Sequence, residues 1–359
     1  MAVKALNAGK HVMCEKPMAE SYADACRMVE AAKKNQRKLT VGYQNRFRDD
    51  SQAVHAAARA GDLGEIYYAK AHATRRKKVP TWGRFLSMEA QGGGPLIDIG
   101  THAIDLALWF MDNYEIASVT AAAFKGLVDD PAGNVWGPWD PAKFEVEDSA
   151  FGFIRMKNGA LLSVEASWAL NIPDAREACV TVCGTKGGAQ QLQGDYGPGS
   201  YRWKLVKAEY DRLVTVTPDG PEKFIPMGDL ADEVLSLAPV REMDSWLTDL
   251  GRWPHGAAEQ AAAVVRVIET MYESARQGRT IRRLPKIKEA GLARPGRRPS
   301  ISACSRTGNM ARSPRRNCLC WESVPAGGSS GVGGPYSAFG WMMILMTSFS
   351  CITRSRPSK

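Results

Sequence analysis

Apolar residues recur at helical spacing over Tyr22–Lys34, where Ala25, Met28, Val29 and Ala32 share one stripe. Short apolar runs flank that stretch, His11–Cys14 before it and Leu39–Tyr43 after it, and each reads as a strand. Ahead of them, Ala2–Ala8 reads as the end of a helix stopped by Gly9. The order strand, helix, strand is that of a doubly wound parallel sheet. Residues 51–60 then read as a helix ending at Gly61, and Ile66–Ala73 as a strand. Gly92-Gly93-Gly94-Pro95 opens an apolar helix that runs to about Met111, with proline in the first turn where its missing N–H costs nothing.

From Ile116 to about Pro226 the pattern turns to strands. Ser149–Met156, Ala160–Trp168 and Ala178–Cys183 are β-rich or alternate. Lys157-Asn158-Gly159 is a hairpin turn signal, and the glycines around Thr185-Lys186 give another. Strands joined by tight turns predict a mainly antiparallel sheet. Ala257–Gln277 reads as one more long helix ended by Gly278, and Thr280–Leu284 as a closing strand. The fold class is α/β. Residues 1–43 read as a partial Rossmann unit, and 44–285 as an α+β domain with a large, mainly antiparallel open sheet. Residues 293–359 read as a tail.

The net charge of +9 invites a nucleic-acid reading until it is divided along the chain. Residues 293–359 hold nine Arg, one Lys and one Glu, which accounts for the whole excess and leaves residues 1–292 neutral. The basic tail could meet acidic partners but lacks the interleaved aromatics of a single-strand binder. Its composition predicts a disordered extension, and its Cys and Trp favour the product of a shifted reading frame. The eight cysteines form no paired CxxC motifs, which predicts reduced thiols in a cytoplasmic protein. Cys179 and Cys183 share a strand face as core neighbours rather than metal ligands. The N-terminus has no signal-peptide run, and Trp341–Met346 is too short to span a bilayer.

The candidate chemistry lies on the helix that follows the three glycines. Leu96, Ile97, Ile99, Ile104, Leu106, Leu108, Phe110 and Met111 make it apolar almost all round, so it is expected to be buried. Asp98, Thr101, His102 and Asp105 interrupt this as one polar stripe within an arc of about 100°. A stripe facing water usually recruits Lys, Glu, Gln or Arg; short groups and an imidazole suit a cleft wall. At i and i+4, Asp98 and His102 could meet, the carboxylate fixing the tautomer and raising the imidazole pKa toward that of a general base. A metal set of Asp98, His102 and Asp105 is allowed by spacing, but no further ligand cluster supports it, so none is expected.

These residues carry a family resemblance. CEKP at Cys14–Pro17 after AGKHV, GGGPLIDIGTHAID, VEDSAFGFIRMKNGALLSVEASW, GTKGG and YESARQGRTI stand in order and resemble the Gfo/Idh/MocA oxidoreductases over residues 1 to about 285. The resemblance implies hydride transfer between NAD or NADP and a hydroxyl carbon of a sugar or polyol, and a homo-oligomer built on the open sheet. It implies catalytic roles for Lys16, Asp98 and His102 and a cofactor contact by Glu15, Lys16 and Pro17. It places Gln44, Asn45 and Arg46 at the substrate. In this scheme His102 takes the hydroxyl proton and Lys16 stabilises the developing alkoxide.

A Rossmann unit holds pyrophosphate with G-x-G-x-x-G between its first strand and helix. No such loop occurs in residues 1–43, and Gly331–Gly334 follows no strand. The expectation is a chain that begins inside the cofactor domain and binds NAD weakly or not at all alone. The alternative is a non-catalytic remnant that serves as an interaction or oligomerisation module.

Overall fold

The computed structural model describes residues 1–193, 200–218, 222–223 and 257–282. The expected tail at 293–359 and the last residues of the expected closing strand lie outside these.

The chain opens with α1 (Ala2–Asn7), β1 (Val12–Cys14), α2 (Tyr22–Lys34) and β2 (Leu39–Val41). Helix α2 starts where the Ser21 hydroxyl accepts the Asp24 N–H at 3.1 Å, the usual N-cap contact. β1 and β2 pair in parallel, with Val12 opposite Leu39 and Cys14 opposite Val41. This is the β-α-β order expected from the sequence, and a parallel pair brings the carboxyl ends of both strands to one edge. Glu15-Lys16-Pro17 leaves β1 at that edge, and Gly42 to Gln44 leaves β2 there. The Lys16–Pro17 peptide is cis.

A short 3-10 turn (Gln44–Phe47) leads into α3 (Asp49–Ala60), which Gly61 ends in the left-handed conformation at φ 84°. The second sheet is then built from β3 (Ile66–Thr74), β4 (Ile116–Phe124), β5 (Ser149–Met156), β6 (Leu161–Ser167), β7 (Glu177–Gly184), β8 (Gly187–Gln193), β9 (Ser200–Glu209), β10 (Arg212–Val216) and β11 (Glu222–Lys223). Its strand order is β10-β9-β8-β7-β3-β6-β5-β4, with β11 beside β9. β3 pairs in parallel with β6; the other described pairs of this sheet are antiparallel. The expected hairpins are present: Gly159 turns β5 into β6 at φ 95°, and Thr185-Lys186 separate β7 from β8.

Strand alternation divides the sheet into two faces. Ala69, Ala71 and Ala73 of β3, Leu162, Val164 and Ala166 of β6, and Val180 and Val182 of β7 are buried. After the short helix α4 (Met88–Gln91), this face lies under α5 (Thr101–Met111) and, at the β4 end, under the long helix α6 (Ala257–Gln277). The opposite face shows Phe124, Phe153, Lys70 and Glu165 to the outside. The closing segment survives as a bridge between Ile281 and Val119. Cys179 and Cys183 do share a strand face, Cys179 buried and Cys183 half-buried, and both are free thiols.

The buried Arg48–Asp50 pair ties α3 to this sheet. Arg48 donates to Asp50 at 2.9 and 2.5 Å and to the Ala178 carbonyl at 2.9 Å. Gln191 on β8 donates to Asp50 at 2.6 Å and accepts from Val180 N–H at 3.0 Å.

Candidate active site

Between the glycine entry and α5, Leu96–Gly100 forms a π-helical turn. Its i→i+5 bonding widens the coil, a feature that recurs at functional sites. Two partners fix the entry. The Glu147 carboxylate accepts the N–H of Gly94 at 2.9 Å, the N–H of Leu96 at 3.3 Å and the Tyr272 hydroxyl at 2.8 Å. A Cβ on Gly93 would collide with Tyr272, and one on Gly94 with the Glu147 carbonyl, so both positions require glycine for close approach rather than for a turn. Glu147 and Tyr272 stand in the VEDSAFGF and YESARQ stretches of the resemblance, but neither was given a role there. The signal for them is the glycine run itself, which needs some group pressed against it.

The polar stripe is buried, not solvated: Asp98 is 7% exposed, Thr101 0%, His102 9% and Asp105 1%. No hydrogen bond joins Asp98 to His102 among the described residues. The Asp98 carboxylate instead accepts Lys16 Nζ at 3.1 Å and the indole N–H of Trp168 at 3.0 Å. Lys16 Nζ also donates to the Asp98 carbonyl at 3.0 Å. Burial would push the Asp98 carboxyl up, but the Lys16 ammonium, the Arg75 guanidinium and these hydrogen bonds hold it below its usual value. Thr101 shares a hydrogen bond with Tyr43 at 3.1 Å.

His102 is the member of the stripe left open. Its buried Nδ1 has no hydrogen-bond partner among the described residues, and the Tyr43 ring meets the imidazole edge-on at 6.2 Å. The expected rise in its pKa is corrected here to a fall, to about 3. Burial is the main cause, and the charges of Lys16, Arg48 and Arg75 add to it and outweigh Asp98. The folded ring is therefore neutral at any ordinary pH.

This has a thermodynamic consequence. The free imidazole titrates near 6.5 and the folded one near 3, so between those values unfolding takes up a proton and stability falls as the pH falls. His55, lowered to about 4 by burial and by Arg59, contributes with the same sign. Thermal melting of the chain is expected to drop progressively from pH 7 to pH 4, with a shallower slope in His102→Asn. Equal slopes in the two proteins would contradict the buried neutral imidazole.

The remaining expected site residues divide. Glu15 accepts the Lys16 backbone N–H at 3.0 Å and lies against Gly42, bridging the two strand ends. Burial raises its carboxyl pKa, against the pull of Lys16. Pro17 follows on the same edge. Gln44 is half-buried just after β2 and Asn45 is buried. Arg46, expected at the substrate, is held by internal partners. Its guanidinium grips Asp105 at 2.7 and 2.5 Å and Gln260 of α6 at 2.7 Å. Asp105 is thereby also withdrawn from the cleft wall. No cluster of three or more metal-ligating side chains occurs among the described residues, and no described helix is long and apolar enough to cross a membrane.

With Lys16 at the carboxyl edge of a parallel β-α-β unit, residues 1–43 match the model of an oxidoreductase family with an NAD-binding Rossmann fold. Residues 51–190 match the GFO/IDH/MocA C-terminal domain. The chain belongs to the Gfo/Idh/MocA oxidoreductases. It is 44% identical over 185 residues to D-glucoside 3-dehydrogenase of Escherichia coli, covering 52% of this chain and 53% of that protein. It is 29% identical over 167 residues to myo-inositol 2-dehydrogenase of Thermotoga maritima, covering 46% and 45%. Both matches span about half of the relative's length. Among solved structures, a levoglucosan dehydrogenase in complex with NADH and L-sorbose superposes with a TM-score of 0.60 at 22% identity, over 80% of this chain and 77% of the other, a likeness of fold.

Proposed function

We propose that the protein oxidises a ring hydroxyl of a sugar or polyol by hydride transfer to NAD or NADP. The observation that carries this is the Lys16–Asp98 ion pair, whose charges both act on the buried His102 imidazole, itself left without a hydrogen-bond partner among the described residues.

The residues present fit the nicotinamide end of the cofactor. In open parallel sheets, ligands lie outside the carboxyl ends of the strands, where Glu15, Lys16 and Pro17 stand. The pyrophosphate cradle is not among residues 1–43. When bound, the cofactor supplies the hydride acceptor. The chain's own part is proton handling and charge. Lys16, pinned through Asp98, donates to the substrate oxygen and stabilises it as it becomes negative. Neutral His102 takes the hydroxyl proton. The ammonium that weakens the imidazole as a base also acidifies the alcohol beside it, so the transfer stays balanced. Trp168 fixes the second carboxylate oxygen and keeps Asp98 turned toward Lys16. A homo-oligomer through the open sheet face is part of the same reading, supported by Phe124 (50% exposed) and Phe153 (56%) on adjacent strands of that face.

Because residues 1–43 hold no phosphate loop, the test supplies one. A Rossmann strand, G-x-G-x-x-G loop and helix are fused ahead of Met1, and the fusion is incubated with NAD+ and a panel of pyranosides and inositols. Absorbance of NADH at 340 nm is expected to rise with at least one of them. A folded fusion that binds NAD+ and reduces it with none would contradict the proposal. The chain without the fusion is expected to show no measurable NAD+ affinity.

A further inference from the structure

Away from the open sheet face, two large indoles stand exposed side by side. Trp82 is 52% and Trp136 39% exposed, with Val135 beside them in sequence at 62%. The two rings lie 4.9 Å apart between centres and nearly perpendicular, and Phe85 meets Trp82 edge-on at 5.9 Å. Exposed indoles of this kind call for a reason, because burying them would be favourable.

The loops that carry them are fixed. Asn134 donates to the carbonyls of Val79 and Gly137, at 3.0 and 2.6 Å, and accepts the Val79 N–H at 2.8 Å. The Val135 N–H donates to the Lys77 carbonyl at 3.0 Å, and the Thr81 hydroxyl to the Trp136 carbonyl at 2.7 Å. Both rings are thus held on a laced pair of loops, so a ligand would meet surfaces already ordered.

The same loops adjoin the candidate active site. The Arg75 guanidinium lies 5.3 Å from the centre of the Trp136 ring. Arg75 N–H donates to the Ser167 carbonyl and Lys78 N–H to the Trp168 carbonyl, each at 2.8 Å. Trp168 is the residue whose indole N–H holds Asp98, and the charge of Arg75 acts on both Asp98 and His102. The indole pair therefore sits one layer out from the reacting groups.

We propose that Trp82 and Trp136 form a subsite for the second ring of a glycoside, the aryl group or sugar attached to the ring that is oxidised. Three features choose this occupant. Two indoles and a valine offer an area suited to one ring, far below the ~800 Å² per partner of a stable protein contact. The rings present flat apolar faces, which match the C–H face of a pyranose or a phenyl ring. The loops that carry the rings are tied to the site through Arg75 and Trp168. The subsite recognises and forms no bond, and the inference rests on the hydride-transfer reading for its substrate.

The test is isothermal titration of the full chain with phenyl β-D-glucopyranoside and with methyl β-D-glucopyranoside. The phenyl glycoside is expected to bind about tenfold more tightly, the scale of one good aromatic contact. Trp82→Ala and Trp136→Ala are expected to erase that difference while leaving methyl glucoside binding unchanged, and Trp82→Phe to keep most of it. Equal affinity for the two glycosides, no binding of either, or a preference that survives both alanine variants would overturn the subsite. The hydride-transfer reading fails separately, by absence of NADH from the fusion protein with any sugar. If NADH forms with equal kcat/KM for the two glucosides, the subsite alone falls.

Discussion

His102→Ala in the fusion protein is expected to lower kcat by ~100-fold or more, the usual scale for losing a positioned general base. KM for the sugar is expected to stay within a few-fold. The argument begins with partners. Asp98, Thr101 and Asp105 are committed to Lys16 and Trp168, to Tyr43, and to Arg46. His102 is buried with Nδ1 unpartnered, a costly arrangement unless the site uses it. Removing the imidazole therefore takes away the proton acceptor without breaking an internal hydrogen bond, so the melting temperature at pH 7 should fall only by what the lost packing costs. Measuring kcat, KM and melting for the same preparation separates the two effects. Turnover equal to that of the parent would remove His102 from the chemistry.

Arg48→Met should produce the largest loss of stability, with a mechanism unlike that of the active-site change. The Arg48–Asp50 pair is fully enclosed, at 0% and 1% side-chain exposure, and it links α3 to Ala178 on β7 and, through Gln191, to β8. Deleting one charge leaves the Asp50 carboxylate buried with, among the described residues, Gln191 as its remaining side-chain donor. Breaking a buried pair in this way costs about 3–5 kcal/mol, or roughly 10 °C in melting temperature for a domain of this size. Replacing both members, as Arg48→Met with Asp50→Leu, should recover part of the loss because no uncompensated charge remains. If the single and double variants melt together, the pair does not act as a unit. The Arg48 charge also helps to lower the His102 pKa, so Arg48→Met should raise it.

Most of the fold was legible because its elements are periodic or punctuated. The α2 stripe, the Gly61 stop, the Gly159 hairpin and the alternation of β5 and β6 all state their structure locally. The parallel pairing of β3 with β6 was not legible, because no local signal reports which strands of a sheet become neighbours. At the site, residue identity was legible and partnership was not. The i, i+4 rule suggested His102 as the partner of Asp98, whereas its carboxylate accepts from Lys16 and Trp168, which lie 82 and 70 positions away in sequence. The sign of the His102 shift followed from that error: with the carboxylate engaged elsewhere, burial and nearby cations decide it. The partners of Arg46 were hidden for a related reason. A position after a Rossmann strand suggests a ligand contact, and only the folded chain shows Asp105 and Gln260 holding the guanidinium.

The most direct test of the central claim is the fate of a labelled hydrogen. The fusion protein would be incubated with NAD+ and a pyranoside deuterated at its ring carbons, and the reduced cofactor weighed by mass spectrometry. One deuterium carried into the cofactor, with His102→Ala and Lys16→Met both slowing its arrival, is the predicted result. A cofactor reduced with no deuterium, or at the same rate in both variants, would contradict it.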